Sequence, residues 1–175
     1  MAQIFNPKVL VSQLNIAPGA TVADFGCGSG ILTLELARAV GDEGKVFAID
    51  VVPQQLESVK SLAQMRGVNN IETRWANLEK TSTLDSESCD WVIIANLLFQ
   101  VEKKLRPNII EEAYKILKPE GKLVVIDWKV DSTLGPPKEN RLTLEEIQKI
   151  TQSQHFKFVR TLEIADTHWC ALFQK

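Results

Sequence analysis

The residues best suited to chemistry form one run, Asp24-Phe25-Gly26-Cys27-Gly28-Ser29-Gly30, with Asp50 lying twenty residues beyond Gly30. Glycines at alternate positions let the main chain turn sharply and let a ligand approach it closely. A helix opening just after them would present unpaired N–H groups to an anion or a polar ligand. A carboxylate at Asp50, ending the next strand, can accept hydrogen bonds from ribose hydroxyls. Strand, glycine turn, helix, strand and acid in that order predict a nucleotide-type cofactor site; the plainer alternative is a tight turn with no ligand. Four more polar side chains fall at the ends of later strands. Asn96 and Gln100 could face a substrate or only satisfy local backbone. Asp127 could orient a substrate, act as a base, or cap a loop. His168 has the side chain best suited to proton transfer, and otherwise is an ordinary strand residue. His155, at a helix end, reads as structural or surface.

Short apolar runs alternate with amphipathic stretches, the pattern of strands and crossover helices around a parallel sheet. Residues 7–15 predict a first helix and residues 21–25 a buried strand. Beyond the glycine turn, Leu32, Leu36, Ala39 and Val40 share one face of a helix over 29–40. A second strand covers 45–50, and Pro53 opens a helix to Arg66. Strands follow at 71–75 and 91–95. Ile109, Ala113 and Ile116 mark a helix, and after the turn Pro119-Glu120-Gly121 a strand covers 122–127. Thr143 with Glu146 forms a capping box for another helix. Residues 156–163 and 168–173, joined by Ala165-Asp166-Thr167, predict an antiparallel hairpin. The expected fold is α/β: a Rossmann-like open twisted sheet, mostly parallel, with one antiparallel strand at the C-terminal end and helices on both faces. The hairpin would bring His168 to the cofactor edge, on the face of Cys170 and Leu172.

The dinucleotide fingerprint Gly-x-Gly-x-x-Gly puts its third glycine at position 31. Here that position is Ile31 and the third glycine comes early, as Gly30. An NAD(P)-dependent oxidoreductase is therefore the weaker reading. The run from Asp24 to Gly30 instead resembles the first motif of class I S-adenosylmethionine-dependent methyltransferases. Phe47-Ala48-Ile49-Asp50-Val51-Val52 resembles their second motif. Trp75-Ala76-Asn77-Leu78-Glu79 falls where the family often has Gly-Asp-Ala-Glu, with Asn77 in place of an Asp; its amide oxygen can accept the same hydrogen bond. The run from Cys89 to Asn96 resembles the family's fourth strand. Leu117-Lys118-Pro119-Glu120-Gly121 is similar to its Leu-Lys-Pro-Gly-Gly turn, with Glu120 replacing a glycine. Gly135-Pro136-Pro137, Arg141-Leu142-Thr143 and His168-Trp169 resemble the ubiquinone/menaquinone-biosynthesis (type 11) branch.

This resemblance implies S-adenosylmethionine as cofactor, S-adenosylhomocysteine as product, and methyl transfer by in-line displacement. It implies cofactor contacts from Asp24, Gly26, Cys27, Gly28, Gly30, Asp50, Val51, Asn77, Leu78 and Asn96, with His168 and Asp127 as the catalytic candidates. Cys27 reads as a small buried filler rather than a nucleophile.

The chain has 175 residues with 45% hydrophobic and 24% charged, which predicts one domain over residues 1–175. A net charge of −2 argues against a partner held by bulk attraction to nucleic acid. Three scattered cysteines and two histidines offer no metal pattern, and none is expected. No signal-like N-terminus or bilayer-length apolar run is present, so the expectation is a cytoplasmic protein. Asn96-Leu97-Leu98-Phe99 lacks the Pro-Pro of enzymes that methylate nucleic-acid amines, and the cysteines are too few for arsenite chemistry. The leading expectation is a small-molecule acceptor. A protein or RNA acceptor, a non-catalytic cofactor-binding module and a homodimer stay open. The loop over 129–142 is the one sizeable segment available to cover substrate. The pocket would be open, completed by a second subunit, or used on a larger acceptor.

Overall fold

Alternate residues of the central strands face opposite sides of a sheet, and both sides are apolar in this chain. In the computed structural model, which describes residues 5–175, the order is α1 (Pro7–Leu14), β1 (Thr21–Phe25), α2 (Ile31–Val40), β2 (Lys45–Asp50), α3 (Pro53–Arg66), β3 (Ile71–Trp75), β4 (Cys89–Ala95), α4 (Arg106–Ile116), β5 (Leu117–Trp128), α5 (Leu144–Ser153), β6 (Lys157–Thr161) and β7 (His168–Gln174). Short 3-10 turns sit at Leu98–Gln100, Lys103–Leu105 and Lys138–Asn140. One seven-stranded sheet runs β3-β2-β1-β4-β5-β7-β6. The pairs among β1 to β5 are parallel, and β7 runs antiparallel to both β5 and β6. This is the expected architecture, with the antiparallel strand one place in from the edge.

The two faces hold two cores. Phe25, Val92, Ile94, Val125 and Phe173 pack under α4 and α5 through Ile109, Ala113 and Ile147. Val22, Ile93, Val124 and Cys170 pack on the other face against Leu10 and Leu14 of α1 and Leu36 and Val40 of α2. Helix α3 covers Ala48 through Leu56 and Val59. Strand β4 is apolar on both faces because it is buried on both. No helix of the described residues is long and apolar enough to cross a membrane.

Local signals place most boundaries. Pro53 opens α3 and Gly67, in the left-handed region at φ 65°, closes it. Thr143 and Glu146 form a reciprocal capping box at α5. The turn before β5 departs from expectation. Leu117 already pairs with Cys89, and the register jumps to Lys122 opposite Trp91, so residues 118–121 form an irregularity inside one strand rather than a turn ahead of it. Glu120, where the resembling family has glycine, takes a φ of 64°, a conformation that costs an L residue roughly 1–2 kcal/mol.

Ile94 is fully buried at the centre of the larger core. Ile94→Ala should cost about 3 kcal/mol. Thermal denaturation should show a fall in Tm of roughly 6–12 °C for a domain of this size.

Candidate functional site

Between β1 and β4 the chain reverses its direction of travel across the sheet, and the loops leaving the two strands diverge. A crevice at the carboxyl ends of the strands follows from that topology. Here it is a cavity of about 340 Å³, lined by Gly26, Gly28, Asp50, Val51, Val52, Gln55, Ala76, Asn77, Leu78, Glu79, Leu97, Gln100, Val101 and Ile109. Gly26 and Gly28 have φ of 73° and 50°, so the turn uses a conformation that glycine adopts without strain. A side chain at Gly28 would meet nothing within 4 Å, whereas one at Gly26 would press on Leu97 at 3.0 Å. Gly28 is therefore a bare stretch of floor, and Gly26 lets the loop after β4 close down on it. Helix α2 opens behind Gly30 without a side-chain cap.

Asp50 joins the two walls. One carboxylate oxygen accepts from the Gly28 N–H at 3.0 Å and the other from the Val52 N–H at 2.9 Å. Each oxygen keeps a further lone pair for a ligand donor. The exposed Trp75 donates from its indole to the Val51 carbonyl at 2.9 Å, fixing the main chain beside the half-exposed Val51 side chain. The Asn77 amide oxygen accepts from the Glu79 N–H at 3.0 Å. Ala76, Leu78 and Ile109 supply the apolar wall.

Of the ten residues singled out from the sequence for the cofactor, Gly26, Gly28, Asp50, Val51, Asn77 and Leu78 line this cavity. Asp24, Cys27, Gly30 and Asn96 do not. Asp24 is buried beneath the loop and accepts from the Thr33 hydroxyl of α2 at 2.6 Å. Burial pushes its carboxyl up to about 7 against that hydrogen bond, and the Asp50 charge adds to the rise. Cys27 packs on Ala48, Leu56 and Val59, and burial raises its thiol far above the ordinary range. Gly30 lies where a Cβ would approach Val59 of α3 to 2.8 Å, so it serves helix packing.

Asn96, at φ 55°, points to the opposite side. Its amide oxygen lies 3.1 Å from Nε2 of His168, whose Nδ1 is 2.8 Å from the Thr167 hydroxyl. The His168 ring packs on Trp128 with centroids 4.1 Å apart. Burial, with the Lys129 charge adding to it, lowers the imidazole pKa to about 4, so it is neutral at physiological pH. Asp127 is fully buried and accepts from the Phe99 N–H at 3.1 Å and its own neighbour's N–H, Trp128, at 2.7 Å. Burial raises its carboxyl to about 6, opposed by these bonds and by the Arg106 charge. Asp127 thus ties the loop after β4 to the end of β5.

Several lining residues carry no sequence signal of that role. Leu97, Val101 and Ile109 look like core positions, and only the closure of the loop on Gly26 turns them toward the cavity. Arg141 is another. It is buried, and its guanidinium donates to the carbonyls of Lys129, Val130, Ser132, Leu134 and Pro136 at 2.8–3.1 Å. Gly135 lies so close to the Trp128 ring that a side chain there would run into it. The covering loop is therefore nailed down from within and rests on Trp128.

A family model described as a methyltransferase domain matches residues 22–121, from β1 into the first part of β5. The chain belongs to the methyltransferase domain family. The chain is 30% identical over 73% of its length to the demethylmenaquinone methyltransferase of Oceanobacillus iheyensis, covering 52% of that protein. It is 29% identical over 93% of its length to the tRNA (adenine(58)-N(1))-methyltransferase of Thermus thermophilus, covering 56% of it. The chain thus spans about half the length of these curated relatives. Among solved structures it resembles a SAM-dependent methyltransferase from Aquifex aeolicus, with TM-score 0.88 and 25% identity, covering 97% of this chain and 89% of that one.

Asp24 gives the site a testable pH signature. Its pKa in the folded protein lies above its ordinary 3.8, so the fold binds its proton more tightly than the unfolded chain does. Its contribution is most favourable below about pH 4 and is lost as pH rises to about 7. The stability of Asp24→Asn relative to wild type should therefore increase across that interval, as read from urea midpoints at a series of pH values. Taking the difference cancels the opposite contribution of His168, whose lowered pKa favours the fold at higher pH.

Proposed function

We propose that this chain is the catalytic domain of an S-adenosylmethionine-dependent methyltransferase whose acceptor is a small molecule. The observation that carries the reading is the pairing of a bare glycine floor at Gly28 with the Asp50 carboxylate in one cavity. The residues fit the cofactor by their chemistry. Asp50 offers lone pairs to ribose hydroxyls, and Val51, Leu78 and Ile109 offer apolar surface to a purine. Asn77 offers an amide to its edge. The main chain from Gly26 to Gly28 would lie along the amino-acid end, with the N-terminus of α2 beyond it.

Bound S-adenosylmethionine supplies an electron-poor methyl group on a sulfonium. The chain's own contribution is alignment, and proximity of this kind can remove roughly 7–11 kcal/mol of barrier. The loop after β4 is the positioning element. Asp127 holds the Phe99 N–H, and the Gln100 amide donates to the Asn96 carbonyl at 2.7 Å. We assign His168 a positioning role as well: neutral and packed on Trp128, it holds the Asn96 side chain rather than exchanging protons with an acceptor. Asp24, Cys27 and Gly30 act from beneath the loop, through Thr33 and α3. The Leu97 and Val101 side chains exclude water from one wall.

The charged side chains lining the cavity are Asp50 and Glu79, both acidic. That supports a small acceptor over a polyanion such as RNA, despite the tRNA-methylating relative. The demethylmenaquinone-methylating relative points the same way.

Calorimetric titration tests the reading. S-adenosylmethionine and S-adenosylhomocysteine should bind, and NAD should not. At a hundredfold excess over Kd, bound ligand should add about 2.7 kcal/mol of stability. Asp50→Ala should weaken both adenosyl ligands by about tenfold or more, from the loss of charge-assisted hydrogen bonds. Gly28→Val should block them in a protein that still folds. Normal affinity in either variant would overturn the assignment.

A further inference from the structure

A second cavity of about 360 Å³ lies between the loop after β4 and the covering loop after β5, and it shares Gln100 and Val101 with the first. Its walls are Phe99, Pro136 and Pro137 on the apolar side, with Lys103, Arg106, Glu102 and Glu139 as its charged groups. Arg106 is the unusual member. It is 2% exposed, and a guanidinium stays protonated even when buried. Its Nε donates to the Val101 carbonyl at 3.2 Å and one Nη to the Asn140 carbonyl at 2.9 Å. Among the described residues it makes no ion pair. Asp127 and Glu146 offset its charge from beyond ion-pair distance, and neither carboxylate bonds to the guanidinium.

The other Nη has no protein acceptor. No sealed side-chain nitrogen or oxygen among the described residues lacks a partner, so that amino group opens to solvent, and the space Arg106 lines is this cavity. Lys103 adds an unpaired ammonium at the same wall, while Glu102 is taken by Lys104 at 3.0 Å. Glu139 is the remaining acid of the lining, and Glu146, outside the lining, acts on both cations, so the wall offers one open guanidinium amino group and one ammonium to a single anionic group.

We propose that the second cavity binds a carboxylate on the methyl acceptor, with Arg106 and Lys103 as its cationic partners and Phe99, Pro136 and Pro137 against the acceptor's apolar body. This identifies the acceptor as a small carboxylic acid, and as a statement about the acceptor it rests on the methyltransferase reading. The shared wall at Gln100 and Val101 lets one molecule anchored by its carboxylate extend into the cofactor cavity. Glu139 and Glu146, near the two cations, disfavour a dianion and leave a singly charged carboxylate as the better fit.

Benzoate is the probe, titrated into the full chain with and without S-adenosylhomocysteine and followed by amide chemical-shift changes. Benzoate should shift the 99–106 and 136–140 signals, and neutral benzamide should bind about tenfold more weakly, the loss expected for a charge-assisted hydrogen bond. Lys103→Glu should weaken benzoate by roughly fivefold or more, reversing one charge at the wall. Lys157→Glu, exposed on β6 and outside the cavity, should not. Arg106→Lys should also weaken benzoate; because Arg106 braces two loops, the exposed Lys103 carries the decision if that variant fails to fold. Equal binding of benzoate and benzamide, or no effect of Lys103→Glu, would overturn the proposal. Phenyl phosphate binding more tightly than benzoate would overturn the carboxylate assignment. Binding of S-adenosylhomocysteine without benzoate sinks this inference alone; failure of S-adenosylhomocysteine to bind sinks the methyltransferase reading.

Discussion

The Asp50 carboxylate closes the site, because it accepts main-chain hydrogen bonds from two loops that the sheet topology drives together. Gly28 N–H comes from the loop after β1 and Val52 N–H from the loop after β2. Parallel strands deliver both loops to one edge, and the right-handed crossover through α2 sets them side by side. Without a fixed acceptor between them, the glycine turn would have three residues of unusual backbone freedom and no reason to hold one shape. With it, the cavity floor is rigid before any ligand arrives, and preorganisation of that kind is what a site needs if its work is alignment.

The opposite wall is built on different physics. Asp127 and His168 are buried and Asn96 is partly buried at the ends of β5, β7 and β4, and hydrogen bonds within the protein hold all three. Burial keeps the imidazole neutral and raises the Asp127 carboxyl, so neither behaves as its free side chain would. Ring packing on Trp128, with the covering loop resting on the same indole, makes them the frame of this wall. Arg141 does for the covering loop what Asp50 does for the glycine turn, with the signs reversed: a cation gathers five carbonyl oxygens in place of an anion gathering two N–H groups.

Membership of the methyltransferase domain family accounts for the β1 to β5 half of the chain, where the matched residues lie. The portion after residue 121 completes the sheet and adds α5 and the covering loop. The matched half is shared with relatives named for very different acceptors, which fits a scaffold that keeps one half constant while the other half varies.

Much of the architecture was legible in the residue pattern. The period-2 and 3.6-residue patterns, Pro53, Gly67 and the Thr143–Glu146 box are local signals, and each depends on a few neighbouring residues. They gave the strands, the helices and the antiparallel C-terminal strand. The glycine spacing and Asp50 located one end of the cavity for the same reason, since a turn and the strand acid that follows it are close in sequence. Local pattern could not show that Asp24, Cys27 and Gly30 lie beneath the loop and away from its face. Nor could it show that Leu97 and Ile109 line a cavity, or that Arg106 is buried with no carboxylate in ion-pair contact. Those properties depend on which elements meet across the sheet, over sequence separations of tens of residues. Burial, more than residue type, sets the protonation of Asp24, Asp127 and His168. The sequence by itself determined the order of elements and the glycine turn; the tertiary structure decided which polar groups face the cavity and which are spent holding it in shape, because burial and contact across the sheet depend on distant residues.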